Sequence, residues 1–192
     1  MADGKGIRWK NYQNKPKHFV KINGEIIIER TVRLLNELDK DAEVIITSHD
    51  KRYEIEGATR YEPLHNYMEI DRFTEELIED NICFLYGDTN YSDKAIRTII
   101  NSNTNDLLFF GNEKSIVAIL VKDSNIFKEN IKNVKQLYQD KKIKNCKGWQ
   151  VYQSFMNLEF DKKQIKGKYV KIDDETTDYN TPEEYESRNE SK

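Results

Sequence analysis

The chain opens Met1-Ala-Asp-Gly-Lys-Gly-Ile-Arg-Trp9 and, a few residues on, reads Lys15-Pro16-Lys17. Glycine lets backbone amides come close to an anion, and Lys5 and Arg8 bring positive charge to the same place. Pro16 stiffens the approach to Lys17, a further cation within reach of the same phosphates. Each piece alone is common at a solvated N-terminus, and together they point to a loop that grips a polyphosphate.

Beyond that loop, short β-branched and aromatic runs alternate with stretches of helical period, which predicts an α/β domain with a mostly parallel sheet. His18 to Ile22 reads as a short extended piece, and Gly24 leads into an amphipathic segment from Ile26 to Leu38 whose apolar face includes Val32, Leu35 and Leu38. Strands are expected over Glu43 to Ser48, Ala58 to Glu62, Asn81 to Tyr86, Leu107 to Phe110, Ser115 to Val121 and, at an edge, Lys168 to Ile172. Helices are expected over Met68 to Glu79, Asp93 to Ile100 behind a Ser92 cap, Ser124 or Asn125 to about Lys141, and Trp149 to Met156.

The totals narrow the class. The 192 residues suit one ordinary domain with a substantial core. Lys and Arg number 31 against 34 Asp and Glu, a net charge of -3 with both signs scattered, which argues against bulk nucleic-acid binding. Apolar runs such as Ile116 to Val121 are too short to span a bilayer, and no cationic-then-apolar leader opens the chain. Cys83 and Cys146 have no close Cys or His to complete a metal spacing and cannot build a disulfide framework, so ordinary thiols in a reducing cytoplasm are expected.

Ala2, Gly4, Gly6, Arg8, Pro16 and Lys17 form a pattern that resembles the signature of the MobA-like NTP transferase superfamily, which includes sugar-phosphate and choline-phosphate nucleotidyltransferases. The stretch Ile22-Asn-Gly-Glu-Ile-Ile-Ile-Glu-Arg-Thr resembles the family's next segment, and Asp3 departs from it where many relatives carry a second alanine. The resemblance implies a three-layer α/β/α fold of the GT-A type, with a Rossmann-like sheet, over residues 1–182, followed by a charged tail at 183–192 that is expected to fray. It further implies that Ala2, Gly4, Lys5, Gly6, Arg8 and Lys17 hold the phosphates of an NTP, CTP or UTP, with Arg8 and Lys17 acting at the reacting centre. Relatives enter the glycine loop from an apolar strand, whereas here the loop begins at Met1. The expectation is therefore that the first strand is encoded upstream, in frame.

Phosphoryl-type transfer needs charge neutralised at the phosphates, and magnesium with carboxylate ligands is the common solution. Asp88 ends the apolar run Ile82-Cys-Phe-Leu-Tyr-Gly, at the carboxyl end of an expected strand, where open α/β sheets bind ligands. A plain Gly-Asp turn is the competing reading. Late in the chain, Asp178-Tyr-Asn-Thr-Pro-Glu-Glu-Tyr looks like the family's closing motif, with Thr181 as a helix cap and Pro182 in the first turn. The resemblance makes Asp88 and Asp178 the two Mg2+ ligands; Asp173 and Asp174 are nearby acids without the matching context.

The implied reaction is attack on the α-phosphorus by a phosphorylated small-molecule acceptor, a sugar phosphate or choline phosphate, with loss of pyrophosphate. A phosphomonoester oxygen is already ionised, so no general base is required, and His18, His49 and His65 are read as surface or packing residues, His18 with slightly better claims beside Lys17. Asn66 and Tyr67, between an expected strand and helix, are candidates for contact with base or acceptor, against a reading as a helix start with aromatic packing. Trp149, Tyr152 and Phe155 recur at helical spacing, as a core face does, and would also suit a quaternary ammonium. Two readings compete: a GT-A-type glycosyltransferase using a nucleotide sugar, for which Asp88-Thr-Asn lacks the second acid of Asp-x-Asp, and a non-catalytic nucleotide-binding module. The sequence leaves the oligomeric state open.

Overall fold

The structure is a computed structural model that describes residues 1–189; the end of the charged tail, 190–192, lies outside the described residues. Along the chain run β1 (Lys21–Ile22), β2 (Glu25–Ile26), α1 (Ile27–Leu38), β3 (Ile45–Thr47), β4 (Thr59–Tyr61), β5 (Ile82–Leu85), β6 (Thr89–Asn90) and α2 (Asp93–Ile100). There follow β7 (Leu107–Gly111), β8 (Ile116–Val121), α3 (Ser124–Gln139), α4 (Gly148–Phe155), β9 (Tyr169–Lys171), β10 (Thr177–Asp178) and α5 (Pro182–Asn189). This is the α/β class expected, in two compact units, but among the described strands only β3–β4 and β7–β9 pair in parallel, so the expected mostly parallel sheet is not what forms.

The first unit comprises Met1–Glu62, Tyr86–Ile100 and the chain from Asp174 onward. β3 and β4 pair in parallel, while β1 with β2 and β6 with β10 form two-residue antiparallel ribbons. Helix α1 turns Ile28 and Val32 into a core with Ala2, Ile46 and Tyr53, and Ile27 into a second with Trp9, Val20, Ile22 and Tyr179. Its apolar period thus serves two cores, and the glycine loop contributes a buried side chain to each. The chain start is held by two backbone hydrogen bonds: Ala2 N–H donates to the Thr47 carbonyl at 3.1 Å and the Met1 carbonyl accepts from Gly87 N–H at 2.9 Å. The Ser92 hydroxyl caps α2 through Ala95 N–H at 2.8 Å, and the Thr181 hydroxyl caps α5 through Glu184 N–H at 3.2 Å, as the sequence predicts.

The second unit, Pro63–Leu85 and Asn101–Asp173, holds a four-stranded sheet in the order β5-β8-β7-β9. β8 runs antiparallel to both neighbours, and β7 runs parallel to β9. Every residue of β8 is buried, which is why Ile-Val-Ala-Ile-Leu-Val is apolar without alternation. Phe73, Phe84 and Phe127 pack as mutually contacting rings with centroids 5.2 to 5.5 Å apart.

Several local expectations are corrected. Met68 to Glu79 is two short 3-10 turns, Glu69–Phe73 and Glu75–Leu77, because Thr74 between them is left-handed at φ 48 and stops helix propagation. The Asp71 carboxylate there accepts from Tyr67 and Met68 N–H and lies 3.0 Å from Lys135 Nζ. Helix α3 opens at Ser124, as expected, behind an Asp123 cap that accepts from Asn125 and Ile126 N–H. Within His18 to Ile22 only Lys21–Ile22 is strand, since Lys17–Phe19 forms a 3-10 turn. Arg30 pairs beyond its own helix, reaching Glu25 at 3.2 Å and Asp93 at 2.6 Å. Burial pushes both thiols up, Cys146 to about 11 and Cys83 to about 12, so both stay protonated at neutral pH.

Candidate functional site

The site assembles within the first unit, around the end of the apolar run at Gly87-Asp88. Gly87 is pinned against the chain start: a Cβ built on it would lie 2.8 Å from the Met1 carbonyl oxygen, 3.2 Å from His18 Cδ2 and 3.3 Å from Ala2 Cβ. Only glycine lets the backbone before Asp88 come this close to the loop. Gly6 takes a left-handed conformation at φ 57, and its carbonyl accepts from Trp9 and Lys10 N–H as the chain turns through Ile7–Trp9. Trp9 Nε1–H then donates to the Lys15 carbonyl at 2.9 Å, which closes the loop ahead of Pro16 and Lys17.

The 3-10 turn Lys17–Phe19 directs Lys17 to Asp88, and its ammonium is ion-paired with Asp88 Oδ2. Both side chains are mostly buried, at 12% and 14% exposure. Burial by itself would push the Asp88 carboxyl up; the Lys17 charge, with that of His18, outweighs it and holds the carboxyl below the ordinary aspartate value. His18 is buried against Tyr53, with Nδ1 and the phenol oxygen 2.6 Å apart.

The β6–β10 ribbon brings the second acid alongside. Asp178 is the register partner of Thr89, and Tyr179 N–H donates to the Asp88 carbonyl at 3.0 Å. Directly paired residues share a face, so Thr89 and Asp178 project to one side and Asn90 and Thr177 to the other. Asn180 ties the ribbon to the glycine loop: it donates to Asp178 Oδ2 at 2.6 Å and accepts from Arg8 Nη2 at 2.7 Å. Arg8, Lys17, Asp88 and Asp178 are thereby gathered, though widely separated in sequence. Ala2 is buried in the core, Gly4 and Gly6 form the loop backbone, and Lys5 is exposed. Asn66 belongs to the second unit, partly buried in the stretch before the Glu69–Phe73 turn.

Among the described residues no cluster of three or more His, Cys, Asp or Glu side chains gathers to cage a metal. Two carboxylates suit magnesium, which keeps several waters and takes its remaining oxygens from phosphates. Among the described residues the Thr89 hydroxyl oxygen is buried without a hydrogen-bond partner, on the ribbon face it shares with Asp178. The two carboxylates offer only oxygen donors, the chemistry that a hydrated hard cation takes.

Sequence reasoning missed the parts that four residues play. Asn180 lies inside the quoted Asp178-Tyr-Asn-Thr-Pro motif, but its bridging role needs the ribbon. Thr89 carries no motif signal. Asp3 and His49 join across 46 positions, His49 N–H donating to Asp3 Oδ1 at 2.9 Å and the ring Nδ1 lying 2.7 Å from Oδ2.

Comparison with known proteins agrees at the level of fold. No family model matches the chain, and no curated protein matches it. Among solved structures it is similar to CTP:phosphocholine cytidylyltransferase from Streptococcus pneumoniae, at 12% identity and a TM-score of 0.58, over 99% of this chain and 96% of that one. A likeness of that extent at so low an identity shows the fold alone: the chain shares the α/β, Rossmann-like architecture of that structure.

Proposed function

We propose that this protein transfers a nucleoside monophosphate from an NTP, CTP or UTP, to a phosphorylated small-molecule acceptor of the choline-phosphate or sugar-phosphate kind, releasing pyrophosphate. The observation that carries the reading is the Lys17–Asp88 ion pair set beside Asp178, with Arg8 joined to the same ribbon through Asn180. The fold-level likeness to an enzyme whose name pairs CTP with phosphocholine supports the choice of substrates.

The residues divide the work. The glycine loop, with Lys5 and Arg8, binds the triphosphate. Asp88 and Asp178 would hold Mg2+, which when bound supplies charge neutralisation at the phosphates. Lys17, already drawn into the site by Asp88, offsets the charge that develops as an oxygen of the acceptor phosphate bonds to the α-phosphorus and the bond to the bridging oxygen of the β-phosphate breaks. Asn180 keeps Arg8 and Asp178 in fixed relation. The acceptor oxygen is ionised near neutral pH, so no proton needs to be removed, in keeping with His18 being committed to Tyr53.

A pyrophosphate-release screen of the four NTPs with Mg2+ against choline phosphate and sugar phosphates tests the proposal. One NTP and acceptor pair should give turnover that Asp88→Ala abolishes. Nucleotide binding with no pyrophosphate from any pair would leave a nucleotide-binding module instead.

A further inference from the structure

Asp3 puts a negative charge inside a loop otherwise suited to anions, at the position where the resembled family often has alanine. Its carboxylate meets His49 with both oxygens: Oδ1 accepts the His49 backbone N–H at 2.9 Å, and Oδ2 lies 2.7 Å from the His49 ring Nδ1. A carboxylate only accepts, so the shared proton sits on Nδ1, and in the neutral ring Nε2 keeps its lone pair. Among the described residues Nε2 has no hydrogen-bond partner, and the side chain is 45% exposed whereas that of Asp3 is 9% exposed. His49 stands just past Thr47, the last residue of β3, which pairs in parallel with β4. That is the strand end at which open α/β sheets bind ligands.

We propose that His49 contacts the nucleoside part of the nucleotide, Nε2 accepting a hydrogen bond from a ribose hydroxyl or an exocyclic base amine. Asp3 is the positioning residue that fixes the tautomer and holds the ring. An acceptor backed by a carboxylate repels phosphate oxygens, so the triphosphate belongs to the glycine, Lys5 and Arg8 side of the loop, and a donor on the nucleoside suits His49. The inference rests on the nucleotide reading above and adds to it a source of selectivity. A site that accepts from a ligand N–H or O–H discriminates against an analogue that lacks it, because the acceptor is then left unpaired.

The test is calorimetric titration with CTP, UTP and 2′-deoxy-CTP, each with Mg2+, into wild type, His49→Ala, Asp3→Ala and Lys17→Ala. UTP replaces the amine of CTP with a carbonyl, and the deoxy analogue removes a ribose hydroxyl, so the two donors are separated. Wild type should bind CTP roughly tenfold more tightly than one of the two analogues, and His49→Ala should reduce that ratio below about twofold. Asp3→Ala should lower the same ratio while still binding CTP. Because the His49 ring is exposed, its removal leaves the fold intact, which thermal melting checks; 15N NMR of wild type should show the Nδ1–H tautomer and a shift of the Nε2 signal when CTP is added. A wild type indifferent to both changes, or a ratio unaltered in His49→Ala while Lys17→Ala weakens all three nucleotides alike, overturns the role of His49 and leaves nucleotide binding standing. A wild type that binds none of the three overturns both.

Discussion

Replacing Gly87 by alanine tests whether the start of the chain is a structural part of the site. The new methyl would lie 2.8 Å from the Met1 carbonyl oxygen, about 0.6 Å inside the 3.4 Å of ordinary contact, with His18 and Ala2 also closer than 3.4 Å. The Met1 oxygen cannot yield freely, since it accepts Gly87 N–H at 2.9 Å while the next amide is bonded to Thr47 and Ala2 is 3% exposed in the core. Relief therefore requires the loop start to move off Gly87. Overpacking of this size costs about 1–3 kcal/mol, and loss of the buried hydrogen bond about 1 kcal/mol more. For a chain of this length that is a fall in Tm of roughly 4–16 °C. Displacing Ala2 also displaces Gly4 and Gly6, so nucleotide affinity should fall with stability. Thermal unfolding by circular dichroism, alongside calorimetric titration of the NTP, reads both quantities. A Gly87→Ala protein within about 1 °C of wild type and with unchanged nucleotide affinity would refute the close approach and the anchoring drawn from it.

Removing the Lys17 charge as Lys17→Met leaves a mostly buried carboxylate without its cation and should cost about 3 kcal/mol at pH 7, read from urea midpoints. In wild type the depressed Asp88 value gives stability that is present above the ordinary carboxylate range and lost as pH falls through the folded value; in the variant burial raises the value, so the deficit should shrink on going from pH 7 to pH 4.5, and a deficit that grows would contradict the pairing. Thr89→Val, which keeps the shape and removes a buried hydroxyl oxygen without a partner, should raise the stability of the unliganded protein by about 1 kcal/mol in the same assay; a loss of that size would mean the hydroxyl is already bonded. Phe127→Ala, at 0% exposure against Phe73 and Phe84, should destabilise by about 3–5 kcal/mol, and a cost below about 1 kcal/mol would show the ring cluster to be loosely packed.

What the sequence determined by itself was whatever rests on local chemistry. The helical period of α1, the Ser92 and Thr181 caps and the strand at β8 follow from interactions within a few residues or from a local run of apolar residues, and each stands close to where it was read. The same locality explains the misreading of Met68 to Glu79: its composition allows a helix, but Thr74 in a left-handed conformation and an Asp71 carboxylate drawn to Lys135 are long-range outcomes. The site divides in the same way. Gly4, Gly6, Arg8, Lys17, Asp88 and Asp178 are visible as residue types in suggestive places, because glycine turns and charges leave marks in sequence. Only the folded chain could set Lys17 against Asp88, pair Asp178 with Thr89 through strands two residues long, join Arg8 to Asp178 through Asn180, and close Asp3 onto His49. Those contacts cross from tens of residues to nearly the whole chain, and such short strands leave no periodicity to read. Their geometry is set by how the glycine loop packs its buried Ala2 and Trp9 on the two faces of α1.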